Sequence, residues 1–134
     1  MLKQLSIYAE NKKGALQTMT NALYEAGINI WGSVINDGAE YGINRMVVSD
    51  PDKAKEVLTE KGYLCRFVDV LAVEIEDKPG ALNTLLTALL DSNVNVDYTY
   101  LSFNRDSSTP VMILHTADPE EVEICLRAKG FKMV

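Results

Sequence analysis

The sequence predicts an α+β fold made of two copies of one βαββαβ unit, each an antiparallel four-stranded sheet with two helices on one face. Three observations predict it. The string ENKKGALQT at Glu10–Thr18 returns as EDKPGALNT at Glu76–Thr84, sixty-six positions on. The spacing of apolar residues changes from strand-like to helix-like at the same place in both halves. Helix start and stop signals recur in matched pairs, and a repeat of this kind decides an architecture before other features do.

Each first strand is read from alternation. Leu5, Ile7 and Ala9 alternate with Gln4, Ser6 and Tyr8, and Leu71, Val73 and Ile75 alternate with Val70, Ala72 and Glu74. This is the period of a strand with one better-buried face. A helix follows in both halves. Leu16, Met19, Thr20 and Leu23 fall at i, i+3, i+4 and i+7, as do Leu82, Leu85, Leu86 and Leu89, which assigns one mostly apolar stripe per helix to the core. Gly27 and Asn93, which tolerate a left-handed backbone, end those helices. Strands are expected at 28–35 and 94–103, then at 41–49 and 111–116, with an Asp37-Gly38 turn in the first hairpin. Asp50 and Asp118 read as N-caps before Pro51 and Pro119, with Glu121 completing a capping box with Asp118. Gly62 and Gly130 close the second helices, and short last strands are expected at 63–67 and 131–134.

That order of elements is the ferredoxin-like split arrangement. Beyond the middle of each half the offset grows to sixty-eight, since Asp50-Pro51 matches Asp118-Pro119 and Lys61-Gly62 matches Lys129-Gly130. The two added residues are placed at Asn104–Thr109. The domains are then 1–67 and 68–134, with no Gly, Pro or Ser linker near Arg66–Val68. A domain this small buries only about 60% of its unfolded surface. The halves are therefore expected to join side by side as one eight-stranded sheet or to pack face to face, the face opposite the helices being otherwise open.

The 134 residues allow one ordinary domain or two small ones and exclude a large catalytic barrel. With 47% hydrophobic and 24% charged residues the chain can bury a core. Thirteen Lys and Arg against nineteen Asp and Glu give a net charge of −6 without any basic cluster, a surface that repels nucleic acid and anionic membranes. The longest apolar runs fall far short of the ~18 residues of a membrane helix. The opening MLKQLSIYAEN shows no basic region followed by an apolar core, so a cytoplasmic location is expected. Cys65 and Cys125 form no CxxC and the histidine is alone, so ordinary buried thiols, no metal site and no cofactor are expected.

The candidate site is the loop between the first strand and first helix of each half. In DKPGAL, Pro79 fixes φ at the helix start and Gly80 lets a ligand approach the backbone. The unpaired N–H groups of a first helical turn favour an anion. A small carboxylate suits the place, whereas a triphosphate does not, because no Gly-rich loop with a trailing Lys before Ser or Thr is present. The first half carries NKKGAL, without the proline but with Lys12 and Lys13 near any bound anion. A well-formed helix start would give the same string. Both halves add an asparagine fifteen residues after the glycine, Asn29 and Asn95, and its side chain offers donor and acceptor alike.

The conjunction of strand, (D/N)xxGxL helix start and NI or NV at the second strand resembles the ACT domain over essentially the whole chain, as a tandem pair. The resemblance implies a regulatory module that binds a small metabolite, usually an amino acid, between two ACT domains without chemistry. Carried over by motif position, one site would use Asn11, Gly14, Ala15 and Leu16 with Asn95. The other would use Asp77, Pro79, Gly80, Ala81 and Leu82 with Asn29. Asp77 would accept from an ammonium group where Asn11 is neutral, so the two sites would not be equivalent. A homodimer and a regulated metabolic enzyme are the implied partners.

Remaining conspicuous residues divide between plain and functional readings. Arg45 is assigned to a surface salt bridge or a partner contact, and Trp31 to a half-buried sheet position or an interface anchor. Tyr98, Tyr100 and Phe103 would line the open face or a pocket, and His115 is assigned a structural role. An acylphosphatase of this fold would show an arginine in the first loop and a heavy-metal carrier a CxxC there; both are missing. The chain is therefore read as no enzyme. Two classes stay open, an amino-acid sensor and an interaction module that regulates an enzyme by contact alone.

Overall fold

The computed structural model describes residues 1–10, 12–37 and 41–134. Asn11 and the turn at Asp37-Gly38 therefore lie outside the described residues. The elements run β1 (Leu2–Glu10), α1 (Ala15–Glu25), β2 (Ile30–Asp37), β3 (Tyr41–Val48), α2 (Pro51–Glu60), β4 (Leu64–Glu74), α3 (Ala81–Asp91), β5 (Tyr98–Phe103), β6 (Pro110–His115), α4 (Pro119–Ala128) and β7 (Lys132–Met133). The chain divides into two compact units, Lys3–Val68 and Asp69–Val134 with Met1–Leu2.

In the N-terminal unit the strand order is β2-β3-β1-β4. Antiparallel register places Leu5 opposite Met46 and Ile7 opposite Asn44. Leu5, Ile7, Met46 and Val48 form one core with Met19 and Leu23 of α1, Ala54 and Leu58 of α2, and Cys65. Because all these strand residues lie on one side of the sheet, both helices cover that side. Burial pushes the Cys65 thiol up, against the opposing charge of Lys55, which disfavours the reactive thiolate.

In the C-terminal unit β6 lies between β4 and β5, and β7 pairs with β4. Its core is Leu71, Val73, Leu85, Leu89, Met112, Leu114, Val122 and Leu126, which matches the first by position except that Met112 stands where that unit has Asn44. The added pair of residues falls in the β5–β6 connection, where Asn104 N–H donates to the Thr109 carbonyl at 2.8 Å and Ser108 takes φ 59°.

Several expectations are corrected. The strands at 63–67 and 71–75 are one strand, β4 (LCRFVDVLAVE), which runs on without Gly or Pro to break it. The strand at 94–103 begins only at Tyr98: Asn93 is left-handed (φ 57°) and Val94 and Val96 pack on the core outside the ladder. The helical stripes are also rotated from the expected ones. Leu16, Leu82 and Leu86 are 44%, 37% and 37% exposed, whereas Met19, Ala22, Leu23, Ala81, Leu85 and Leu89 are buried; tertiary packing chooses which side of an apolar helix faces inward. Opposite the helices, Val70, Ala72, Tyr100, Val111 and Ile113 of the C-terminal unit are buried, as are Gln4 and Ser6 of the N-terminal unit. A side so rich in apolar groups is favourably removed from water.

The two second-helix caps differ. The Asp50 carboxylate accepts from Lys53 N–H at 3.1 Å, whereas Asp118 makes no cap bond, so the capping box with Glu121 does not form. Asp50→Ala is therefore expected to cost about 1 kcal/mol in urea denaturation. Asp118→Ala, with no bond to lose, should cost clearly less.

Candidate functional site

Both glycine loops are built alike. Gly14 and Gly80 are the N-caps of α1 and α3, at φ 84° and 86°, a left-handed conformation that side-chain-bearing residues seldom adopt. Ala15 N–H donates to the Lys12 carbonyl at 3.1 Å and Ala81 N–H to that of Lys78 at 3.2 Å. Thr18 and Thr84 then bond back to the glycine carbonyls through both N–H and hydroxyl, at 2.9–3.0 Å. Glycine supplies no side-chain cap, and among the described residues the Leu82 and Asn83 N–H groups of the first turn make no hydrogen bond. These amides, at the positive end of the helix dipole, are suited to a carboxylate.

One loop cation in each copy is already engaged. Lys12 pairs with Glu10 at 3.2 Å and Lys78 with Glu76 at 2.6 Å. Beside the second loop is a cleft of about 370 Å³, whose walls include Glu74, Lys78, Ala81, Thr84, Phe131 and Lys132. The first loop has a cleft of about 420 Å³ that includes Lys12, Lys13, Gly14, Ala15, Thr18 and Tyr63. Thus Gly14, Ala15 and Ala81 line these clefts. Asp77, Pro79 and Gly80 lie exposed on the loop, and Leu16 and Leu82 are exposed on the first helical turns. Pro79 is not the first helical residue, because the left-handed glycine takes the N-cap and leaves the proline outside the helix.

Sequence reasoning missed Glu74, Thr109, Phe131 and Lys132, which the end of β4, the approach to β6 and the segment at β7 bring to the second loop. Lys132 Nζ and Asn104 Nδ2 each lie 3.2 Å from Glu74 Oε2. Burial alone would raise the Glu74 carboxyl, but hydrogen bonds from Lys132, Asn104 and Thr109, with the Lys132 charge, outweigh it and hold the group below its ordinary value. A carboxyl depressed by folding contributes stability above its unfolded pKa, and that contribution is lost as pH falls through the folded value. Glu74→Gln is expected to flatten the acid limb of a plot of stability against pH, read from urea midpoints, and to change the neutral limb less.

The strand asparagines lie far from the glycine loops of their own units. Along β3, Tyr41 pairs with Glu10, next to the first loop, while Val48 pairs with Ile30, next to Asn29. The seven residue steps from Tyr41 to Val48 span about 24 Å. Asn29 is exposed and bonded through its backbone to Ser49. Asn95 is also exposed; its Nδ2 donates to Asp97 at 3.2 Å, and Asp97 in turn contacts His115 Nδ1 at 2.8 Å. His115 stacks on Tyr98 with centroids 5.0 Å apart. Arg45 and Trp31 are half-buried in their strands.

The sequence matches the family described as an ACT domain pair over residues 1–133. The chain belongs to the ACT domain family. A protein from Bacteroides thetaiotaomicron shares 31% identity and superposes with a TM-score of 0.90, over 99% of this chain and 91% of that one. The ligand-free regulatory subunit of aspartate kinase from Thermus thermophilus shares 17% identity at a TM-score of 0.67, over 96% and 91%. The corresponding subunit from Thermus flavus shares 20% at 0.61, over 96% and 91%. The curated proteins include no match. The family is a regulatory, amino-acid-binding one, and no helix among the described residues is long and apolar enough to cross a membrane.

Proposed function

We infer that this ACT pair is a non-catalytic sensor that binds an amino acid at its glycine loops. The observation that carries the reading is the duplicated helix opening: in the second copy a left-handed glycine leaves the Leu82 and Asn83 amides without partners beside a cleft. The ligand carboxylate docks on those amides, and Asp77 accepts from its ammonium group. Asn29 and Asn95 serve the glycine loop of a neighbouring ACT unit, since each lies at the far end of its own. The units are ferredoxin-like domains bounded near residue 68, and the protein works as a cytoplasmic homodimer beside a metabolic enzyme. Proteins of the same fold named as regulatory subunits of aspartate kinase support that class of role.

Thermal melts with each of the twenty amino acids at millimolar concentration test the reading, because a ligand that binds only the native state raises the midpoint. At least one amino acid is expected to do so. Asp77→Ala and Asn29→Ala are each expected to abolish that rise while leaving the unliganded midpoint nearly unchanged. If no amino acid raises the midpoint, the chain is instead an interaction module that acts by contact.

A further inference from the structure

The C-terminal unit contains a second cleft, at the end of its sheet away from the glycine loop, and the repeat supplies an internal control for it. The cleft measures about 410 Å³ and lies among the end of α3, the approach to β5, the end of β6 and the start of α4. Five of its lining residues are Ser92, Asp97, Thr116, Glu121 and Cys125. Their counterparts in the N-terminal unit are Ala26, Trp31, Val48, Lys53 and Val57. There Val48 is buried in the core, with Ala26 and Val57 packed against it. Where the first copy has apolar Ala26, Val48 and Val57, the second has Ser92, Thr116 and Cys125, and acidic Asp97 and Glu121 replace Trp31 and Lys53.

The polar groups are not explained by packing. Thr116 is 2% exposed and its hydroxyl has no hydrogen-bond partner. A buried hydroxyl without a partner costs its full desolvation, and valine in the same place would not. Asp118, the N-cap residue of α4, makes no cap bond although Asp50 in the other copy does, so its carboxylate is left to the cleft. Ser92 Oγ lies 3.2 Å from Cys125 Sγ deeper in the wall. Asp97, Asp118 and Glu121 bring three carboxylates, and no Lys or Arg lines the cleft.

We propose that this cleft binds a small organic ammonium ion, one N–H donating to the Thr116 hydroxyl and the others to carboxylates among Asp97, Asp118 and Glu121. The partial positive charge at the start of α4, equivalent to about half a unit, is outweighed by three carboxylates, even with Asp97 paired to His115. Among the described residues no three metal-ligating side chains are placed to hold a metal ion, and an ammonium ion needs only two of the carboxylates beside the Thr116 hydroxyl. Asn95, which the proposed amino-acid site uses, also lines this cleft and donates to Asp97; the ligand proposed here is told apart from an amino acid by needing no carboxylate.

The test is amide chemical-shift mapping of the full chain with putrescine, ethanolamine and ethylamine at millimolar concentration. Tetramethylammonium chloride at equal ionic strength serves as the control, a cation without N–H donors. At least one primary amine is expected to move the amides of Asp97, Ala117 and Glu121 while leaving Leu82 and Asn83 in place. Thr116→Val, which installs the residue of the other copy, should keep the fold and weaken binding several-fold; Asp118→Asn, at an exposed position, should do the same. No localised shift with any of the three amines overturns the proposal. So does an equal response to tetramethylammonium, or unchanged binding in both variants.

Discussion

Leu58→Ala and Leu126→Ala are each expected to destabilise the protein by about 2–5 kcal/mol. The two leucines occupy the same place in the repeat, are both fully buried and belong to separate cores. Each is the buried anchor of a second helix, so truncation removes apolar contact and leaves a cavity that a packed β-sheet cannot close. Against a total stability of order 5–15 kcal/mol, either change alone leaves little margin. Urea denaturation checks this, with Ile124→Ala on the exposed side of α4 as the control, since Ile124 is 70% exposed. A loss at Leu58 or Leu126 no larger than the loss at Ile124 would contradict the assignment of these two cores.

The second large effect is expected at Gly80. No atom lies within 4 Å of a Cβ built there, so the cost of a side chain comes from the backbone. A left-handed conformation costs an L-residue about 1–2 kcal/mol, and more for a β-branched one. Gly80→Val should lower the melting midpoint and abolish any amino-acid response, because its branched side chain would stand over the first-turn amides. Gly80→Ala should show a smaller loss of stability. Gly14→Val should repeat the stability effect in the other copy. If Gly80→Val retains the full amino-acid response, the ligand does not dock at this helix opening.

How much was legible in the sequence follows from how local each feature is. The left-handed glycines at positions 14, 62, 80 and 130 and the left-handed Asn93 depend on a residue's own conformational freedom, so the matched strings predicted where helices begin and end. The continuity of β4 was not legible, because two adjacent strand patterns look the same whether or not a bend separates them. Nor was the rotation of the helix stripes. In α3 seven of the eleven residues are apolar, and the choice of Leu85 and Leu89 over Leu82 and Leu86 belongs to packing. The glycine loops were read from their own residues, yet Phe131 and Lys132, from the end of the chain, reach the second loop only through the pairing of β7 with β4. The Asp118 cap was expected from sequence and is absent in the structure, because a side-chain rotamer at a helix start is not fixed by residue type.

The most direct test of the central claim is to record backbone amide shifts of the full chain with the amino acid that raises the melting midpoint most. The account predicts that the Leu82 and Asn83 amides move strongly as the ligand carboxylate takes up their N–H groups, and that Asp77→Ala suppresses those movements. Saturable binding that leaves both amides unmoved would contradict it.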